Sequence, residues 1–244
     1  MNVRLIILIF FLTTTNFLVA QNDTIKHKYL KVFLNGKYAQ YENNIAYGHL
    51  PLHNSFRSDN VDFTFGFLSI CHEKYFKNGN SREIEILPFS ISYKKDDGYY
   101  YDSISNYNRP RDYSAEVFSF ETNFSYQYNL KFNKKRNGNF KPYFGFSSSL
   151  FYYYKSTKPI NSYFYDTNVS QIGLGLSVIP SISYKICDNI FLDFNIPIRF
   201  FDYVYEKTKI DNPPIPKDHI ITENLYNKWL PKKYYLRIGL TMEI

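Results

Sequence analysis

The chain is poor in the residues that most often announce a function. Cysteine occurs only twice among 244 residues, at Cys71 and Cys187. Both fall near the ends of separate predicted strands, and they read as unrelated thiols rather than as a disulfide. Glycine is held to ten residues. Gly173-Leu-Gly175 lacks the third glycine and the following helix of a dinucleotide-binding loop, so it is a strand pattern. Charge of one sign is not concentrated either: the formal net charge is +7, but Lys and Arg are scattered through presumed loops and turns, and no nucleic-acid-binding motif accompanies them. Helical periodicity is nearly absent.

The one apolar run, Leu5 to Leu12, follows Arg4 and ends in Leu18-Val19-Ala20 before Gln21-Asn22-Asp23. Thr13 to Asn16 interrupts it, and its length falls short of the roughly 20 residues a spanning helix needs. Residues 1–20 therefore read as a secretory signal peptide cleaved after Ala20. No cysteine follows to take a lipid, and residues 21–244 form one domain.

What the chain has in abundance is rings. Aromatics make up 20% of it, with 25 Tyr and 23 Phe, and these favour strands. In the segments 118–132, 140–154, 172–186, 190–200 and 234–244, even positions are apolar or aromatic 32 times in 36, against 8 in 35 for the odd positions of 117–131, 141–155, 171–185, 191–201 and 235–243. These are two-faced strands. Residues 28–36, 61–71 and 83–94 add three more, the last with a phase shift that a bulge at Pro88 would repair. The total is eight. The connections, about 37–60, 72–82, 95–113, 133–139, 156–168, 187–189 and 204–232, alternate long and short, as in barrels with long external loops and short periplasmic turns.

The less oily face decides which side meets lipid. An exposed strand face in water would carry Lys, Glu and Thr, as in a soluble lipocalin-like barrel. Here it carries Gly145, Ser147, Ser149, Gly173, Gly175, Ser177, Ser181, Ser183 and Gly239, with Glu121, Asp193, Arg199, Arg237 and Glu243 among them. Small residues suit a crowded lumen in which Tyr143, Phe191, Arg199 and Arg237 need room. The expected fold is an all-β, closed, antiparallel up-and-down transmembrane barrel of eight strands, ten being the alternative, with its oily face outward.

Lys141-Pro-Tyr-Phe-Gly-Phe146, Ile172-Gly-Leu-Gly-Leu176 and Tyr234-Tyr-Leu-Arg-Ile-Gly-Leu240 resemble the strands of the outer-membrane β-barrel domain family common in Bacteroidetes, related in architecture to small OmpA and OmpX type barrels. The resemblance spans nearly all of residues 28–244. It implies location in the outer membrane and contact with its lipids and lipopolysaccharide. It also implies insertion by the barrel assembly machinery, and it carries no catalytic residue. Such chains commonly end in an aromatic, where this one has Ile244.

Candidate chemistry is thin, and neither a catalytic residue, a metal site nor a cofactor is expected. His49 and His53 flank Pro51 in a presumed loop near Asp59, which favours solvated histidines over metal ligands. His72 beside Glu73 and His219 beside Asp218 are neighbours on extended chain, where adjacent side chains point apart. The basic turn Lys131–Lys141 reads as solvated. The better candidates are loop aromatics: Tyr99, Tyr100, Tyr101 and Tyr107 in the second external loop, and Tyr226 and Trp229 in the fourth, after the stiff Asp211-Asn-Pro-Pro-Ile-Pro216. Tyr and Trp give large contact area at small entropic cost, though the same rings also mark membrane interfaces. The expected role is a non-enzymatic structural or surface-recognition barrel with a filled lumen and an external ligand left open. A narrow pore for ions or small solutes and an outer-membrane lipid-modifying enzyme are the alternatives.

Overall fold

The computed structural model describes residues 25–46, 55–77, 79–101, 110–132, 139–160, 165–211, 221–231 and 233–244. Their regular structure is strand throughout: β1 (Ile25–Ala46), β2 (Ser55–Phe76), β3 (Ser81–Tyr101), β4 (Pro110–Lys131), β5 (Phe140–Pro159), β6 (Asp166–Cys187), β7 (Ile190–Asn195), β8 (Ile198–Asp211), β9 (Ile221–Trp229) and β10 (Lys233–Glu243).

These ten elements make eight staves. β7 and β8 are one stave broken at Ile196-Pro197, and both pair with β6. β9 and β10 are one stave broken near Leu230, whose φ is positive. β9 pairs with β8, and β10 with β7 and β1. All pairings are antiparallel, and the β1–β10 ladder from Tyr29↔Glu243 to Ala39↔Lys233 closes the ring.

The register fixes the barrel's shape. Partners followed once round from Lys37 run through Tyr235, Pro197, Ile179, Gly145, Asn129, Ser81 and Tyr75, and arrive back on β1 at His27. The stagger is thus ten residues (37 minus 27). With eight staves it sets a strand tilt of about 40°.

Strand alternation then sorts the side chains. Phe144, Leu174, Phe194 and Leu236 lie on the outer face, while their neighbours Tyr143, Gly173, Asp193 and Arg237 are buried inside. A belt of exposed apolar residues, among them Phe124, Leu150, Leu176, Ile182, Leu192, Ile238 and Leu240, rings the outside. This is the expected sidedness, oil outward and polar inward.

Two bulges keep that phase. Pro88 and Phe89 together oppose Thr122, so the β3–β4 register shifts between Leu87 and Ser90, as the sequence pattern requires. A second bulge at Phe200 shifts the β6–β8 register between Leu176 and Ser177. It returns Asp202 to the lumen beside Arg199.

The strands run farther than their alternation. β2 has 22 residues, roughly 70 Å of chain, whereas a tilted strand crosses hydrocarbon in about 9–11. The expected strand 61–71 is therefore only part of β2, and 28–36 only part of β1. Beyond the apolar belt the burial contrast between the two faces fades while the ladder continues, as along 153–157 of β5 and 221–229 of β9. The strict alternation of long and short connections does not hold for the same reason: the segment 132–139 between β4 and β5 is longer than 160–165 between β5 and β6. Tyr99, Tyr100 and Tyr101 belong to β3 rather than to a loop, and Tyr226 and Trp229 belong to β9.

Candidate functional site

The end of the barrel with the tight turn Asp188-Asn189, the start of β1 and the end of β10 is here its base; the opposite end is its rim. The lumen between them is filled by charge in layers. At the base, Lys31 is 1% exposed and its Nζ lies 2.6 Å from Glu83, 2.9 Å from Glu73 and 3.4 Å from Asp193. Lys131 adds a second cation 3.4 Å from Glu73, and its ammonium stands 3.5 Å from the centre of the Tyr143 ring. Asn129 donates to Glu83 at 2.6 Å, while Ser81 donates to Glu73 and Thr241 to Asp193. Three carboxylates and two ammoniums thus pair at the base, with hydrogen bonds from Asn129, Ser81 and Thr241 satisfying the carboxylates further, the condition for burying charge at all. The sequence pattern puts Lys131 in a solvated turn; it points instead into the lumen, because odd positions of β4 face inward up to the strand's last residue.

At mid-height Arg237 pairs with Glu85 and donates to Asn195 at 3.1 Å. Ser69 donates to the same Glu85 at 2.6 Å, and Lys37 pairs with Glu121. Above these, Arg199 donates to Ser149 at 3.2 Å and faces Asp202 across 3.5 Å. A cavity of about 50 Å³, room for a water or two, opens at this level between Ser90, Ser149, Ser177, Arg199 and Tyr235. Arg199 Nε and Nη1 and Asp202 Oδ1 are buried there without hydrogen-bond partners.

The glycines explain how large groups fit. A Cβ on Gly175 would lie 2.9 Å from Arg199 Nε, and one on Gly173 would lie 2.6 Å from Phe151 and 2.7 Å from the Tyr203 carbonyl. Each makes room for a bulky lumenal partner, as the sequence suggests.

The candidate aromatics separate. Tyr226 points inward at the rim, donating to Glu206 at 3.0 Å, and Gln171 donates to the same carboxylate at 2.7 Å. Trp229 points outward, 71% exposed, its ring 4.8 Å from that of Phe201. They do not form one site. The side chains of Tyr99, Tyr100 and Tyr101 and all of Tyr107 lie outside the described residues, as do His49, His53, Asp218 and His219. His72 lies on the outer face and Glu73 in the lumen. Cys71 is buried beside Glu83 and Cys187 is exposed, both as free thiols. Among the described residues no cluster of His, Cys, Asp or Glu could hold a metal ion. Beyond the belt, hydrogen bonds from Tyr205 and Lys207 hold the Glu223 carboxyl below its ordinary range.

Glu121, Asp193, Arg199 and Arg237 were legible as lumenal, but Lys31, Lys37, Glu73, Glu83, Glu85 and Asp202 were not. Odd-position alternation in 28–36 would have placed Lys31 with Tyr29 and Phe33. The bulge at Phe200, which places Asp202, has no sequence marker.

No protein-family model matches the chain, nor does any curated protein sequence. Its solved structural neighbours are small outer-membrane β-barrels. The outer membrane protein OprG from Pseudomonas aeruginosa aligns over 91% of this chain and 98% of its own, at TM-score 0.50 and 10% identity. A major outer membrane protein from Thermus thermophilus covers 88% and 99%, at 0.46 and 12%. Neisserial surface protein A, NspA, covers 91% and 100%, at 0.41 and 16%. At such identities the likeness concerns the fold.

Proposed function

We propose that this chain is an outer-membrane protein of the Bacteroidetes barrel type, exported by a signal peptide cleaved after Ala20, with a structural or surface-recognition role and no enzymatic one. The observation that carries the reading is the pairing of an apolar outer belt with a lumen filled by buried ion pairs. A wall that is oily outside and charged inside is stable in lipid and not in water. The buried ion pairs around Lys31 across the base support a filled lumen over a pore. Outer-membrane lipids and lipopolysaccharide surround the wall, and the barrel assembly machinery inserts it. Any external ligand is met by the strand extensions at the rim, where Tyr-bearing ribbons offer contact area.

Membrane fractionation followed by gel migration with and without heating tests the placement. The protein is expected in the outer-membrane fraction, with an unheated form that runs faster than the heated one. Recovery from detergent-free periplasmic extract overturns it. Mass spectrometry of lipid A with and without expression tests the non-enzymatic role: an unchanged profile is expected, and a gained or lost acyl chain contradicts it.

A further inference from the structure

The wall has a gap. β2 and β3 pair from Tyr75↔Ser81 to Ile70↔Ile86 and then stop, although β2 reaches back to Ser55 and β3 runs on to Tyr101. Among the described residues no ladder pair joins them beyond that point. Continuing the register would set Leu68 opposite Pro88, which has no N–H to donate. Pro88 also starts the bulge against β4, and β2 carries its own register shift against β1 at Gly66. Both strands carry a register irregularity where their ladder ends.

The gap lies within the apolar belt, because Phe89, Ile91 and Tyr93 still face outward above it. Leu68, Phe89 and Ile91 beside it are 54–59% exposed and line its outer mouth. Unpaired backbone groups are not tolerated facing hydrocarbon alone, but they are where the wall borders a polar cavity. Leu87 and Ser90, at the foot of the gap, line the cavity that also holds Arg199.

We propose that the β2–β3 seam is a side portal that binds a single-chain amphiphile with a carboxylate head, such as a fatty acid. The chain lies among Leu68, Phe89 and Ile91. The head enters the cavity and accepts from Arg199, which is 4% exposed yet has two donors without hydrogen-bond partners. The donor the head takes is Nη1, because Nε is ion-paired with Asp202 at 3.5 Å.

The proposal rests on membrane placement, and its test separates the two. Purified protein is placed in phosphatidylcholine nanodiscs and followed by amide hydrogen exchange and NMR. Alternate amides of 61–69 and 89–93 are expected to exchange roughly a hundredfold faster than those of 147–152 on the intact wall. Uniform protection overturns the portal while leaving the membrane reading in place; failure to insert overturns both. Stearate spin-labelled at carbon 5, close to the head, is expected to broaden Leu87 and Ser90 selectively, and to bind roughly tenfold more tightly than its methyl ester, the gain of a charge-assisted hydrogen bond. Equal broadening around the barrel, with acid and ester alike, means annular contact only and refutes the site. Pro88→Val with Phe89 deleted restores the donor and the register, and is expected to protect the seam and abolish selective broadening; the wild-type measurements decide the matter if that variant does not fold.

Discussion

Lys31 is one positive charge facing three carboxylates in a space closed to water. Replacing it with methionine keeps the volume but leaves Glu73, Glu83 and Asp193 with Lys131 alone as nearby cation. Breaking a buried ion pair from one side costs about 3–5 kcal/mol, so Lys31→Met is expected to lower the urea midpoint of the lipid-embedded barrel sharply. Neutralising Glu73, Glu83 and Asp193 together with Lys31→Met and Lys131→Met is expected to recover part of the loss, since no unpaired charge of the cluster then remains. Gly239→Val tests the opposite fault. The new side chain would drive into the Phe33 ring and the Val32 carbonyl, 2.7 Å from the Cβ, and overpacking of this kind costs about 1–3 kcal/mol. Equal stability of Gly239→Val and wild type in the same urea titration would show that the lumen is not packed as described.

At the scale of the element, bulges decide which residues share the lumen. Phe200 is the extra residue that brings Asp202 and Glu206 inward and sends Phe201, Tyr203 and Tyr205 outward. Deleting it inverts that phase, placing two carboxylates on the outer face and three rings in the bore. The deletion is expected to abolish the fast-migrating unheated band; a normal band would contradict the register. This is also where sequence reading reaches its limit. The bulge at Pro88 was legible because a proline cannot donate and the apolar phase slips beside it. The bulge at Phe200 was not, because a run of Arg199-Phe-Phe-Asp202 alternates poorly in either phase. Strand ends were equally hidden, since alternation records the contrast between lipid and lumen and vanishes where both faces are wet. The strands with the longest alternation were read correctly in their main run for that reason, but Phe201, counted with the inward positions, lies outside beyond the bulge, and Lys131 points inward from the strand's end.

For the whole molecule, closure and filling go together. Eight staves at a stagger of ten leave a bore that side chains can occupy, and the charged layers occupy it from base to mid-height. Purified protein in planar bilayers is expected to show no steady openings, and openings in the nanosiemens range would restore the pore alternative. The outer membrane, the rim ribbons and the side seam all follow from which face of the wall is turned to lipid. That can be read with one fluorophore moved by one residue. In a Trp229→Phe background, Leu174→Trp places the only indole on the outer face, and Tyr143→Trp places it in the lumen. In vesicles containing brominated phosphatidylcholine, strong quenching of Leu174→Trp and weak quenching of Tyr143→Trp are predicted. The reverse order would contradict the account.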